Sequence, residues 1–344
     1  MQIRSVLAAA LSTVVAATTL TAFASPAQAA SSSACSQQVT MRGYSDALDK
    51  TSYEGAFVGN LSSLAKDHRG HVFALSDRSK VFTLDHRLRP AGITSLADEN
   101  GRALDSEGMA IERDGHFLVS SELEPSVRRF DRHGRLVGRL PMPDAFQGAP
   151  AGHGILNRTL EGLALDRGGR TLVGAMEGWL TTDGITTRRF QTWERHGHNY
   201  RLARQWAYTA ERGYGISEIA ATGDGRYLVL ERSFAASIGW TAKLYLADPR
   251  RATNTSDVQV LTDEQPGVRF AKRTLLVDLS GTCPSLGAPS HIPSQANPLI
   301  GNIEGMTIVS RERGGSLKLL LVTDDGESPA EITRLYDVTV RLPH

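Results

Sequence analysis

Short apolar runs and turn-forming residues alternate along most of the chain, and the alternation follows one plan that returns five times. Each copy is a short apolar run, a turn rich in polar residues and Gly, and a second run of Leu, Val, Phe or Tyr. Gly115, Gly169 and Gly225 stand where a tight hairpin turn demands a positive φ. The pattern predicts five β-hairpins, at residues 61–77, 106–122, 160–177, 217–231 and 303–324.

The second copy continues beyond its hairpin. Residues 127–130 and 135–140 flank the turn Asp131-Arg132-His133-Gly134, which predicts a four-stranded meander. Four-stranded antiparallel sheets repeated around an axis form a β-propeller, in which each sheet buries its faces against its neighbours. The sequence therefore predicts an all-β fold, a β-propeller of four-stranded antiparallel blades with five or six blades.

The number of blades depends on residues 240–302. Residues 242–247 and 273–279 have the composition of strands, and they are either part of a sixth blade or the outer strands of the fourth blade with an insertion between them. Four prolines make residues 283–302 a predicted loop in both cases.

The first 29 residues have the pattern of a signal peptide. Arg4 precedes an apolar run at residues 6–20, and Ala27-Gln28-Ala29 is a cleavage motif. We expect residues 1–29 to be removed and residues 30–344 to form a single secreted domain. The run is too short for a good membrane span and no second apolar stretch of about 18 residues follows, so we expect no stable membrane insertion. The alternative is an uncleaved N-terminal anchor.

The net charge limits the kinds of partner to expect, and the two cysteines bear on a disulfide. The 344 residues carry a net charge of +1, so no global field attracts nucleic acid, and we expect a monomer that binds none. Cys35 and Cys283 are the two cysteines, and export favours a disulfide between them. Two free thiols are the alternative.

Carboxylates recur at two places in the repeated hairpin. Because a hairpin reverses direction, a residue before its first strand and a residue after its second strand lie side by side. Rotation around a propeller axis would gather these acids into a ring at one face. The first position holds Glu107, Glu161, Glu218 and Glu304, and the second holds Asp77, Glu122, Glu177, Glu231 and Asp324.

Such a ring has two interpretations. Like charges about 4 Å apart repel by about 4 kcal/mol at an effective dielectric constant of 20, so clustered carboxylates favour protonation, pairing or a bound metal. Oxygen ligands in a secreted protein point first to Ca²⁺, with all nine acids as candidate ligands. In the alternative, each carboxylate accepts hydrogen bonds from backbone N–H groups of the next blade and the ring is structural.

Other candidate groups lie near these acids in the sequence. Arg78, Arg158, Arg232 and Lys272 are candidates for binding an anionic substrate, since cations of this kind hold phosphate or carboxylate. Each could instead form an ordinary ion pair. Glu161 and Glu107 are candidate catalytic carboxyls, and His153, in a Gly-rich loop, is a candidate acid–base group or a solvated surface residue.

At these residues the chain resembles the phytase-like family, described as having esterase-like activity of phytase. The resemblance rests on the order of short motifs over residues 53–336, which are Leu75-Ser-Asp-Arg78, Asp105-Ser-Glu-Gly-Met109, Ser120-Ser-Glu122, Glu161-Gly-Leu-Ala164, Gly215-Ile-Ser-Glu218, Leu228-Val-Leu-Glu-Arg232 and Asn302-Ile-Glu-Gly305. It implies a propeller fold, an extracellular or periplasmic location and a phosphoesterase or esterase activity.

Three functions remain open at this point. The first is a metal-dependent ester hydrolase acting on small anionic esters, with phosphate monoesters such as phytate as the leading class. The second is a calcium-dependent lactonase or carboxylesterase. The third is a secreted binding propeller without catalysis, because a fold alone does not specify an activity.

Overall fold

Five four-stranded antiparallel sheets surround one axis in a computed structural model that describes residues 33–343. The predicted signal peptide lies outside the described residues. Blade 1 contains β4 to β7, blade 2 β8 to β11, blade 3 β12 to β15, blade 4 β16 to β19, and blade 5 β20 to β22 with β1. The strands are β1 (Val39–Ser45), β2 (Thr51–Tyr53), β3 (Ala56–Val58), β4 (Leu61–Lys66), β5 (Val72–Ser76), β6 (Lys80–Leu84), β7 (Pro90–Ser95), β8 (Ser106–Ile111), β9 (Phe117–Ser121), β10 (Ser126–Phe130), β11 (Leu136–Arg139), β12 (Leu160–Leu165), β13 (Thr171–Met176), β14 (Thr187–His196), β15 (Asn199–Thr209), β16 (Gly215–Ala221), β17 (Tyr227–Ala235), β18 (Gly239–Asp248), β19 (Lys272–Asp278), β20 (Ile303–Arg311), β21 (Leu317–Thr323) and β22 (Leu335–Val340).

The choice between five and six blades is settled at five. The candidate strands at residues 242–247 and 273–279 belong to β18 and β19, the outer strands of blade 4. An insertion of irregular chain separates them, and one short helix, α1 (Leu279–Thr282), follows β19. A 3₁₀ turn at Asp144–Phe146 is the other helical element among the described residues.

Apolar side chains fill the space between neighbouring sheets. Five clusters of buried residues each draw on two adjacent blades. Between blades 3 and 4, for example, Phe190 and Trp206 stack at 3.8 Å and pack with Val229 and Tyr245. Burial of each sheet against two neighbours explains why the strands read as nearly continuous apolar runs.

The ring is closed by the two ends of the described chain. β1 pairs antiparallel with β22 and becomes the outermost strand of blade 5. The predicted disulfide is confirmed: Cys35 and Cys283 are bonded across a sequence separation of 248 residues. The bond joins the segment before β1 to the segment after α1, and so ties blade 5 to blade 4.

Candidate active site

An irregularity in the innermost strand of every blade positions the residues at one end of the channel. The pairing of the first strand with the second shifts register at the same place in all five blades. A β-bulge at such a place re-aims the side chains around it. The residue pairs that immediately precede the shift are Leu61 with Ser76, Ser106 with Ser121, Leu160 with Met176, Ile216 with Glu231, and Ile303 with Thr323.

The next residue on each strand of these pairs defines two equivalent positions per blade. The first-strand position holds Ser62, Glu107, Glu161, Ser217 and Glu304, and the second-strand position holds Asp77, Glu122, Glu177, Arg232 and Asp324. Nine of these ten residues line one cavity of about 450 Å³; Ser217 is the exception. Asp105, Leu156, Asn157 and Arg158 complete the lining.

Seven of the nine carboxylates considered as metal ligands therefore lie together, and Glu218 and Glu231 do not. Both belong to blade 4, and both are one residue away from the equivalent position. Matching letters aligns Glu218 with the Glu of the Glu-Gly pairs in other blades, whereas the strand register places Glu218 level with Gly108 and Gly162. A shift of one residue moves a strand side chain to the other face. Glu231 instead accepts from the Tyr208 hydroxyl at 2.6 Å and from Arg273 at 3.1 Å.

Glu218 occupies the axis of the propeller below the cavity. The Ser63 hydroxyl donates to its Oε2 at 2.5 Å, and its own strand supplies the Ile219 N–H at 3.0 Å. The Met109 N–H in turn donates to the Ser63 Oγ at 3.1 Å. We call Ser63 and Glu218 the axial hub. Burial raises the pKa of Glu218 well above its ordinary value, although these hydrogen bonds oppose the shift.

Glycines leave space for the hub and for close contact between inner strands. A Cβ at Gly162 would lie 2.7 Å from the Glu218 Oε1, and one at Gly108 would lie 2.1 Å from the backbone oxygen of Glu161. Real Cβ atoms do not approach so closely. The Glu-Gly pairs of blades 2, 3 and 5 therefore combine a cavity carboxylate with a residue that has no side chain.

Burial and mutual repulsion shift the carboxyl groups of the cavity toward the protonated form. Burial, then the neighbouring Glu107 and Glu122, raise the pKa of Glu161 well above its usual range. Burial and Glu122 do the same for Glu107. Burial together with Glu177 raises the pKa of Glu122 to about 8, against a hydrogen bond from the Thr159 N–H. Burial and Asp324 raise the pKa of Asp77 to about 6.

Arg232 is the cation among these acids. Its Nη2 lies 2.7 Å from the Glu304 Oε1 and 3.7 Å from the Glu161 Oε1, and its Nη1 lies 3.7 Å from the Glu177 Oε1. Burial opposes the charge of Arg232, but these carboxylates outweigh it and raise its pKa above the ordinary arginine value. The cavity lining holds eight carboxyl groups and two guanidiniums, those of Arg232 and Arg158. The two guanidiniums are too few to balance the eight acids.

The other candidate groups are dispersed. Arg78 is exposed beside the cavity, where its Nε lies 3.5 Å from Asp77 and 3.2 Å from Glu327. Arg158 lines the cavity, and its Cζ lies 6.0 Å from the centre of the Trp179 ring. Lys272 is exposed on the outermost strand of blade 4, and His153 is an exposed loop residue; neither lines the cavity.

Asp105 is the cavity carboxyl that the repeat did not identify. It directly precedes β8, and burial raises its pKa. The motif Asp105-Ser-Glu-Gly could have identified it, since Asp105 stands two residues before the candidate ligand Glu107. Repetition could not reveal it because the equivalent residue in other blades is not acidic: Asn60 in blade 1 and Thr159 in blade 3.

Two overlapping groups of three carboxylates could hold a cation. Asp105, Glu107 and Glu122 offer oxygens within 4.8 Å of one another, and so do Glu122, Glu161 and Glu177. The buried Ser62 Oγ and Asp77 Oδ1, both in the same lining, have no hydrogen-bond partner among the described residues. Oxygen donors without His or Cys fit a hard divalent cation such as Ca²⁺.

Comparison with known proteins identifies the class to which this propeller belongs. The profile of the phytase-like family, described as "Esterase-like activity of phytase", matches residues 56–327. The chain belongs to the phytase-like family and is thus a propeller of the hydrolase or esterase type. Among curated proteins, an uncharacterized secreted protein of Arthroderma benhamiae is 30% identical over a segment covering 26% of this chain and 22% of that protein. The chain thus aligns with about a fifth of that relative's length.

The solved structures that match cover most of the chain at low similarity. A PQQ-bound aldose sugar dehydrogenase from Streptomyces coelicolor is 12% identical, with 88% of this chain and 98% of that chain covered and a TM-score of 0.42. A gluconolactonase from Xanthomonas campestris is 11% identical, with 83% and 73% covered and a TM-score of 0.41. Likenesses this distant carry no argument about activity. Within residues 33–343, no helix has the length and apolar character needed to cross a membrane.

Proposed function

We propose that this protein is a secreted, calcium-dependent hydrolase of small anionic esters, with phosphate monoesters as the leading substrate class, acting as a monomer. The observation that carries the proposal is the convergence of eight carboxyl groups and Arg232 on one cavity of about 450 Å³. An anionic ester can enter a cavity of this charge only together with cations. The secreted relative and the disulfide support an extracellular location.

The residues that would hold calcium are the two overlapping groups of three. Glu122 belongs to both groups, and Ser62 and Asp77 supply buried oxygens that have no hydrogen-bond partner among the described residues. Bound calcium would screen the negative charge of the ester and polarise a phosphoryl oxygen. Arg232 lies in the same lining and can give hydrogen bonds to a phosphate oxygen, because its Nε is buried without a partner among the described residues.

Proton transfer is assigned to Glu161 and Glu107. Besides burial, Glu107 raises the pKa of Glu161, and Glu122 raises the pKa of both carboxyls, so ionisation of one disfavours ionisation of the other. The ionised member accepts a proton from water as the water oxygen bonds to phosphorus and the ester P–O bond breaks. The protonated member gives its proton to the departing alcohol oxygen.

One assay series separates the candidate functions. The purified protein is offered phytate, p-nitrophenyl phosphate, p-nitrophenyl acetate and a simple lactone, with calcium and then with chelator. We expect phosphatase turnover that chelator removes, and a loss of about 100-fold or more in Glu161→Gln. Glu264→Gln, an exposed carboxyl of the blade 4 insertion, is the matched control and should keep full turnover.

The remaining outcomes contradict the proposal in different ways. Calcium-dependent turnover of the acetate and lactone alone would make the protein a carboxylesterase or lactonase. The absence of turnover of all four substrates, together with calcium binding measured by calorimetry, would make it a binding propeller.

A further inference from the structure

A second cavity occupies the opposite mouth of the channel. It has a volume of about 560 Å³ and is lined by the far halves of the five innermost strands. One small side chain per blade keeps it open: Ala65, Ala110, Ala164, Ala220 and Thr307. Leu64, Met109, Leu163, Ile219 and Met306 form its inner wall. Its volume is within the range of small-molecule sites.

The rim of this cavity is cationic. Arg113 and Arg167 line it, each from the turn that follows an inner strand, and Lys66 adds a third positive group. His68 lies beside them in the turn of blade 1. Within residues 33–343, His68, Arg113 and Arg167 make no hydrogen bond or ion pair. Lys66 donates to the backbone oxygen of Val309.

Asp166, the acid in the lining, forms no ion pair with the rim arginines. Asp166 accepts the N–H groups of Arg170 at 2.7 Å and Thr171 at 3.1 Å, and so is used within its own turn. The turns of other blades use their acids similarly. Asp67, for example, accepts from the N–H groups of Arg69 and His71. The guanidiniums at the rim therefore remain available to a ligand.

The turn of blade 4 has a glycine between two arginine side chains. This glycine is Gly223, at φ +81°, and a Cβ there would lie 3.0 Å from the Arg311 Nη2 and 3.3 Å from the Arg167 Cδ. Two guanidinium side chains thus approach one another over this glycine. Like charges brought together without a partner favour an anion between them.

The two cavities are separate and opposite in charge. The axial hub lies between the two cavities. Ser63 follows Ser62, which lines the carboxylate cavity, and Glu218 precedes Ile219, which lines the second cavity. A ligand of the second cavity therefore need not contact the carboxylate cavity, and its binding can be tested without reference to ester hydrolysis.

We infer that the second cavity binds an organic anion with an apolar body, such as an aliphatic carboxylate. The anionic head lies at Arg113 and Arg167, where guanidiniums bind a carboxylate by charge-assisted hydrogen bonds. The aliphatic chain packs in the ring of Ala65, Ala110 and Ala164. An inorganic ion would use the rim alone and leave the apolar wall hydrated.

Isothermal titration calorimetry of the full protein tests this site, with decanoate, acetate and inorganic phosphate as probes and chelator present throughout. We expect decanoate to bind at one site at least ten-fold more tightly than acetate or phosphate. The double variant Arg113→Gln/Arg167→Gln should weaken decanoate binding by ten-fold or more. Arg201→Gln, an exposed arginine on the outermost strand of blade 3, is the control and should bind as the unaltered protein does.

Three results would overturn the inference. The first is the absence of decanoate binding. The second is phosphate binding as tightly as decanoate, which would show that the apolar wall contributes nothing. The third is an unchanged affinity in the double variant, provided that its circular dichroism spectrum shows a folded propeller.

Discussion

Blades 3 and 4 have the same four strands in the same order, but they present opposite chemistry to the channel. Blade 3 places Glu161 and Glu177 in the carboxylate cavity and Gly162 beside the axis. Blade 4 places Arg232 in the cavity, and Glu218 on the axis. A repeated scaffold thus fixes where side chains point, while the residue at each equivalent position decides whether a blade contributes an acid, a cation or a central hydrogen-bond acceptor.

The largest effect should follow from placing an acid in blade 4 at the position where its neighbours have Glu177 and Asp324. Arg232→Glu removes the cation bound to Glu304 and adds another carboxylate, so we expect a loss of about 3–5 kcal/mol in the free energy of unfolding in chelator. Calcium should restore part of this loss. Urea unfolding measures both, with Arg250→Glu, at an exposed arginine, as the control. Equal stability of variant and unaltered protein in chelator would contradict the role of Arg232.

The second effect concerns Glu218, the member of the axial hub that blade 4 supplies. Glu218→Ala leaves the Ser63 hydroxyl and the Ile219 N–H without their acceptor and opens a void, which should cost about 2–4 kcal/mol. Glu218→Gln keeps an acceptor oxygen and should cost less. Urea unfolding of both variants beside Glu264→Ala distinguishes a hub from a dispensable buried acid, since a hub requires a larger loss than the control shows.

A third test reverses the comparison by giving blade 3 a side chain near the axis. Gly162→Ala forces a Cβ to within 2.7 Å of the Glu218 Oε1 and the Ile219 nitrogen, and should destabilise the fold by about 2 kcal/mol. Gly138→Ala, on an outer strand with nothing within 4 Å of the added Cβ, should have little effect. Similar thermal unfolding midpoints for the two variants would show that the inner strands are not closely packed there.

The smallest effect is a pH dependence that the acidic blades should show in chelator. A carboxyl whose pKa is higher in the folded chain than in the unfolded chain binds its proton more tightly when folded. Its contribution to stability is complete below the ordinary carboxyl pKa and disappears as pH rises through the folded value, about 8 for Glu122. We expect a loss of about 1–2 kcal/mol between pH 5 and pH 8.

Two variants assign this pH dependence. Glu122→Gln should flatten the profile because the titrating carboxyl is gone, whereas Glu264→Gln should leave it unchanged. Denaturant midpoints at matched ionic strength measure the difference. Stability that rises with pH in chelator would show that these carboxyls are not disfavoured as anions.

The fold could be predicted because the hairpin plan repeats with fixed spacing. The blade number could not, because an insertion separates β18 from β19 and because blade 5 combines strands from both ends of the described chain. Neither feature changes the local apolar pattern. Fold class follows from periodicity, whereas strand partnership depends on contacts distant in sequence.

The carboxylate positions were predictable to within one residue. Glu107, Glu161 and Glu304 lie in the cavity, but the same reasoning assigned Glu218 and Glu231 to positions that Ser217 and Arg232 hold. A β-bulge adds a residue to one strand only, and composition does not show where it falls. Side-chain direction at blade 4 therefore required the register of β16 with β17.

Closure of blade 5 by β1 has a consequence for how the chain assembles. β1 leaves the ribosome before the other described strands, whereas its partner β22 is the last of them to be made. Glu304 and Asp324 of blade 5 therefore take their final places beside the acids of blades 1 to 3 only when β22 docks. The mutual repulsion of these acids is complete only in that closing step, so we expect bound cations to ease closure of the ring.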